Sequence, residues 1–277
     1  MKKNILLLLL FSQYSFSINW ITSFDEAREE SLSQNKFMVV VFTANWCKPC
    51  KEMELGVWID KDVENVLENF IPVKIDVDEY KNIASKYDVE GIPQILIIDA
   101  NGKILTRFYG TNLKSYMLEM LNKYLLNTCF MSKETAVYFE NKSFSSSLRL
   151  YLKYLDFSLY ADISIKDKII NLGKEYFKEA EKRIKKKDLA FVINKQKLEL
   201  LNLYQYAYSN NFIKLKEKLT ILNSETILDD NKQIYYFLKY LLLKSNNDNL
   251  DEIRLKTTHL DGFESFIDKA DFILSKK

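Results

Sequence analysis

The stretch Phe37-Met38-Val39-Val40-Val41-Phe42-Thr43-Ala44-Asn45-Trp46-Cys47-Lys48-Pro49-Cys50-Lys51 decides the fold. Its first six residues are an unbroken β-branched and aromatic run, the mark of a strand buried on both faces, and a central parallel strand is the simplest arrangement for it. Residues Lys51 to Leu55 continue as helix formers. Cys47 is therefore expected at a strand-to-helix turn, with its sulfur near a helix N-terminus.

Working outward, Ser23 with Glu26 forms a capping box that predicts a helix to about Gln34. On the other side, a helix is predicted over Asp62 to Phe70, a strand over Ile71 to Val77, a helix over Tyr80 to Tyr87 and a strand over Gln94 to Ile98. Asn101-Gly102 is a hairpin turn leading into a strand from Lys103 to Tyr109, and a last helix is expected from Asn112 to about Leu126. The order describes a small α/β unit over residues 18–127.

Beyond it the composition changes. All three prolines lie at or before Pro93, and past Phe130 apolar residues recur at helical spacing, as in Ile165, Ile169, Leu172, Tyr176 and Ala180. Residues 128–277 are expected to be all-helical. Three helix-turn-helix joints are expected, around Asn141, around Asn210 and Asn211, and around Asn246 and Asn247, at a spacing near that of a tetratricopeptide array. The usual small-residue positions of such repeats are poorly matched. The basic run Lys182 to Lys187 reads as a solvated helix C-terminus, where cations offset the dipole, and the many aromatic residues of this half read mostly as core.

At 277 residues and 47% hydrophobic content the chain can bury two cores, so two domains are the default. The 40 basic and 38 acidic side chains nearly cancel, which suggests neither nucleic acid nor anionic lipid as a partner. Met1 to Ser17 reads as a secretory signal: Lys2 and Lys3 precede an apolar core from Ile5 to Phe11, and Ser15-Phe16-Ser17 offers small residues for cleavage. That apolar run is shorter than the roughly 20 residues that span a bilayer, no cysteine near the junction would carry a lipid, and no other segment is apolar enough to span.

Three cysteines cannot form a disulfide framework, and two of them at C-x-x-C spacing point to redox chemistry. A zinc site would need two further ligands, and only Cys129 and His259 remain, each alone and distant. Thiol–disulfide exchange needs a thiolate, which an ordinary thiol with a pKa of about 8.5 supplies poorly at neutral pH. A helix N-terminus, with Lys48 and Lys51 nearby, would lower that value at Cys47 and make it the attacking sulfur. Cys50, one turn further in and expected to be the more buried, is placed to resolve the mixed disulfide. No cofactor beyond the disulfide itself is expected. Cys129 reads as buried and inert, with pairing between chains as the alternative.

Trp46-Cys47-Lys48-Pro49-Cys50-Lys51 resembles the thioredoxin active-site motif, and Gly91-Ile92-Pro93 resembles the cis-proline loop of that family. The longer run Ala44 to Glu54 is similar to the exported thioredoxin-like modules typified by the C-terminal domain of the reductant transporter DsbD. This resemblance implies a thioredoxin-like fold over about residues 20 to 127 and says nothing about the helical half. It implies a cis bond before Pro93, a substrate groove shaped by Pro93 and Trp46, and Ile92 as the residue whose backbone docks the substrate. One position departs from the pattern. Where thioredoxins commonly carry a buried aspartate, six residues before the first cysteine, this chain has Val41. Glu54 matches an acid of the DsbD-like modules and is the candidate substitute base, against the alternative of a solvated helix carboxylate.

Two readings of function follow. The first is a periplasmic thiol–disulfide oxidoreductase that reduces, or relays electrons to, protein disulfides and draws on a thiol donor, membrane-bound or soluble. The second is an interaction protein or chaperone whose helical half binds a partner and whose thioredoxin part is a scaffold.

Overall fold

A computed structural model describes residues 18–111, 113–186 and 189–276. The secretory-signal reading of Met1 to Ser17, the expected helix start at Asn112 and the last lysine of the basic run, Lys187, lie outside the described residues.

The α/β part runs α1 (Phe24–Gln34), β1 (Met38–Thr43), α2 (Lys48–Gly56), α3 (Lys61–Leu67), β2 (Ile71–Asp76), α4 (Lys81–Lys86), β3 (Gln94–Ile98), β4 (Ile104–Tyr109) and α5 (Lys114–Lys123). Local chemistry sets these limits. Ser23 Oγ accepts from the Glu26 N–H at the start of α1, half of the expected capping box, and Asn35 stops the helix in the left-handed region at φ 55°. Asp60 caps α3 through the Asp62 N–H.

The four strands lie in the order β2-β1-β3-β4. β1 is central and buried, as expected, but it is parallel only to β2; β3 and β4 run antiparallel, so the sheet is mixed. The connection through α4 leaves the sheet and returns at the same pole, so β3 starts where β1 ends, with Gln94 opposite Phe42. Consequently the turn that follows β1 and the residues that precede β3 share one end of the sheet.

The rest of the chain, after a short 3-10 turn at Thr128–Met131, is helical: α6 (Ser132–Glu140), α7 (Phe144–Ser158), α8 (Ile163–Arg183), α9 (Phe191–Leu201), α10 (Tyr204–Tyr208), α11 (Phe212–Thr220), α12 (Lys232–Ser245), α13 (Asp251–Thr257) and α14 (Phe263–Ser275). The breaks α6–α7, α10–α11 and α12–α13 fall at the three asparagine joints. Asn210 and Asn247 sit in the left-handed region at φ 58° and 59°, a conformation asparagine tolerates better than most residues. Helix lengths in this half range from 5 to 21 residues. The basic run ends α8, with Lys182 and Arg183 in its last turn.

The sheet buries both faces. Met38, Val40, Phe42, Leu96 and Ile98 meet Phe24, Ala27 and Tyr87 on one side. Val39, Val41, Ile95 and Ile97 meet Met53, Leu67, Met117 and Leu121 on the other, and this second layer continues without a break into the helical half, where Phe37 lies 6.5 Å from Phe157 between ring centroids. Two separate cores were the expectation from length. One is instead shared, because α7 and α8 cover the end of the sheet away from the cysteines.

Candidate active site

The fold draws together Trp46, Cys47, Cys50, Ile92 and Pro93. Cys47 is the N-cap of α2, with Pro49 in the first turn, where its missing N–H costs nothing. The Cys50 backbone N–H donates to Cys47 Sγ at 3.2 Å. The two sulfurs are joined at 2.04 Å in the structure, so this is the oxidised state of the pair.

Burial does not separate the cysteines as expected: Cys47 is 2% and Cys50 4% exposed. The reason is a small apolar cluster in which Ala44, Cys47 and Cys50 pack against Val77 and Ile92. What distinguishes Cys47 is its place at the helix N-terminus, where the orphan N–H groups and the Cys50 N–H would hold a thiolate. The Ile92–Pro93 peptide bond is cis. Pro93 O accepts from the Gly110 N–H at 2.9 Å, which ties the end of β4 to this loop.

Trp46 is 68% exposed, and its indole N–H donates to Asp78 Oδ2 at 2.8 Å. Glu54, on α2, lies beside this group rather than within it. Its carboxylate pairs with Lys74 Nζ at 2.7 Å, and that ammonium also lies 4.5 Å from the Trp20 ring centroid. Lys74 is the β2 partner of Val41 in the strand register. Glu54 on α2 is thus ion-paired to the β2 residue that lies opposite Val41 in the sheet. Lys51, Glu54, Lys74 and Asp76 line a pocket of about 250 Å³ there.

Sequence reasoning missed Lys74, Asp78 and Tyr109. The fold places all three on the cysteine side of the sheet, through contacts between residues distant in sequence. Tyr109, 62% exposed, is paired in register with Gln94, the residue after Pro93. Cys129, expected to be buried, is a free and exposed thiol outside this cluster, because the short 3-10 turn faces it outward. Among the described residues no group of three or more His, Cys, Asp or Glu side chains could hold a metal ion, and no helix is long and apolar enough to cross a membrane.

A profile of the thioredoxin family matches residues 20–123. The chain is 37% identical over 93 residues to a thioredoxin of Mycoplasmoides gallisepticum, covering 34% of this chain and 89% of that protein. It is 33% identical over 96 residues to a thioredoxin of Chlorobaculum thiosulfatiphilum, covering 35% and 86%. It is 30% identical over 103 residues to the thiol:disulfide interchange protein DsbD of Campylobacter jejuni, covering 36% of this chain but only 18% of that much longer protein. With the Cys47–Cys50 pair intact at the head of α2, the chain belongs to the thioredoxin family and is a thioredoxin-like thiol–disulfide oxidoreductase.

Proposed function

We propose that the protein is exported to the periplasm, where it reduces protein disulfides or relays electrons to them. The observation that carries this reading is the Cys50 N–H directed at Cys47 Sγ at the start of α2, an arrangement that stabilises a thiolate at one sulfur of the pair. Export rests on the signal-like composition of Met1 to Ser17. The DsbD similarity supports disulfide substrates and a thiol donor, in the membrane or soluble.

In the reduced protein the Cys47 thiolate attacks one sulfur of a substrate disulfide. A mixed disulfide forms and the first substrate thiolate leaves. Cys50 then loses its proton, for which Glu54 is the acceptor in this reading, and attacks Cys47 Sγ. The second substrate thiolate departs, the substrate has gained two electrons, and the Cys47–Cys50 disulfide remains for a donor dithiol to reduce. Ile92, Pro93 and Trp46 present the substrate to Cys47. No further cofactor enters this scheme.

The reducing direction is supported by Pro49 between the cysteines and Ile92 before Pro93, both of which resemble reducing thioredoxins. Equilibration of the full chain with glutathione buffers tests it. A potential near the thioredoxin value of about −270 mV is expected, and one near about −120 mV would make the protein an oxidant instead. N-terminal sequencing of the chain recovered from a bacterial periplasmic fraction is expected to begin at Ile18.

A further inference from the structure

At the far end of β3 from Pro93, the β3–β4 hairpin and α8 enclose a groove of about 440 Å³. Its apolar floor is the half-buried Ile104, with Leu105 and Leu172 buried beneath it, and Lys86, Lys103 and Lys168 stand around it with Glu175 as its single acid. One wall, α8, lies outside residues 20–123, so the groove is not a property of the thioredoxin part.

Two of its lysines have no acidic partner among the described residues. Lys168 Nζ donates to Thr106 Oγ1 at 3.0 Å and to the Tyr124 hydroxyl at 2.8 Å, both neutral. Lys86 Nζ faces the Phe24 and Tyr87 rings, with centroids at 5.3 and 5.2 Å. Among the described residues neither lysine has a carboxylate partner. Glu175 is occupied by Lys178 at 2.7 Å, and Glu179, 3.4 Å from Lys103, is shared with Lys182 and Arg183. Burial, followed by the charges of Arg28, Lys142 and Lys103, pulls the Lys86 ammonium below its usual value, with Asp25 a partial offset.

We propose that this groove binds an acidic, extended segment of a partner polypeptide, its carboxylates meeting Lys86 and Lys168 and an apolar side chain covering the half-buried Ile104. The concave shape favours a polypeptide: a flat bilayer surface cannot reach a floor between a hairpin and a helix. The lysines and the apolar floor together suit a strand-like segment in which acidic and apolar residues alternate.

The test is fluorescence anisotropy of the full chain with a labelled peptide of alternating glutamate and leucine, against the same peptide with glutamine. Saturable binding of the glutamate peptide is expected, weakened by added salt, reduced about tenfold or more in Lys86→Glu and kept in Lys86→Arg. Circular dichroism of both variants shows that they are folded. Absence of binding, equal binding of the glutamine peptide, or unchanged binding in Lys86→Glu would overturn the proposal. So would Lys86-dependent sedimentation with phosphatidylserine vesicles that the glutamate peptide does not compete away. The readout involves no thiol chemistry, so it stands or falls apart from the redox reading.

Discussion

Tyr176 on α8 donates its hydroxyl to Oδ2 of Asp99 at the end of β3, and Tyr154 on α7 donates to the same oxygen at 2.8 Å. The other carboxylate oxygen accepts the Asn101 and Lys103 N–H groups at 3.0 and 2.8 Å. Burial raises the Asp99 carboxyl above its ordinary value, opposed first by the Tyr176 hydrogen bond. The α/β part and the helical half are therefore joined through a buried acid whose partners come from both.

If that joint matters, Asp99→Ala, which orphans two phenols and two backbone donors, is expected to cost about 3 kcal/mol, and Tyr176→Phe about 1 kcal/mol. Urea unfolding measures both. All three tryptophans, Trp20, Trp46 and Trp58, lie in the α/β part, so fluorescence reports that part while far-UV circular dichroism follows mainly the helices. The shared core predicts coincident transitions for the two signals. Two well-separated transitions would mean that the halves fold independently.

Gly173 lets α8 approach α7 closely. A Cβ there would stand 2.9 Å from Tyr154 Cβ and 3.4 Å from the Tyr151 carbonyl oxygen. Gly173→Ala should thus destabilise by about 1–3 kcal/mol, although alanine is the better helix former. A gain in melting temperature would contradict the packing described.

Glu179 ties α8 to the β3–β4 hairpin. Its carboxyl is lowered from 4.5 to about 2, chiefly by its hydrogen bond from Arg183, with Lys103 and Lys182 adding to it. A folded-state value below the unfolded one stabilises the fold above the unfolded value, and the contribution is lost as pH falls from about 4.5 through about 2. Its size at neutral pH is about 1–2 kcal/mol after solvent screening. Glu179→Gln should lower stability at pH 7 and flatten the acid limb of the stability curve; an unchanged acid limb would count against the pairing.

Glu54→Gln removes the proposed proton acceptor while preserving size. Turnover of a protein disulfide is expected to fall about tenfold at pH 7, and less at pH 9, where the resolving thiol ionises unaided. A fall that does not depend on pH would reduce Glu54 to a structural partner of Lys74.

Much of the α/β part was legible because each element carried its own local code. The Phe37 to Phe42 run, the Ser23 cap and the Asn101-Gly102 turn depend on neighbours in sequence. The antiparallel partner of β1 was not legible, since strand direction depends on the route of the connection through α4 rather than on the composition of the strand. The cysteines and Pro93 were readable as a motif, and the asparagine joints of the helical half as turn chemistry. The Glu54–Lys74 pair, the Trp46–Asp78 bond and the junction at Asp99 were hidden for a common reason: each links residues at least 20 positions apart that only the folded sheet and helices bring together. The burial of Cys47 was likewise a tertiary effect, set by Ile92 and Val77.

The division of labour between the two cysteines is tested most directly by trapping. The full-length Cys50→Ser variant, reduced and mixed with insulin, should accumulate a mixed disulfide through Cys47, seen by non-reducing electrophoresis and mass spectrometry. Cys47→Ser should trap nothing and lose turnover by about a thousandfold. A Cys50→Ser variant that captures no insulin, or a Cys47→Ser variant that still turns it over, would contradict the account.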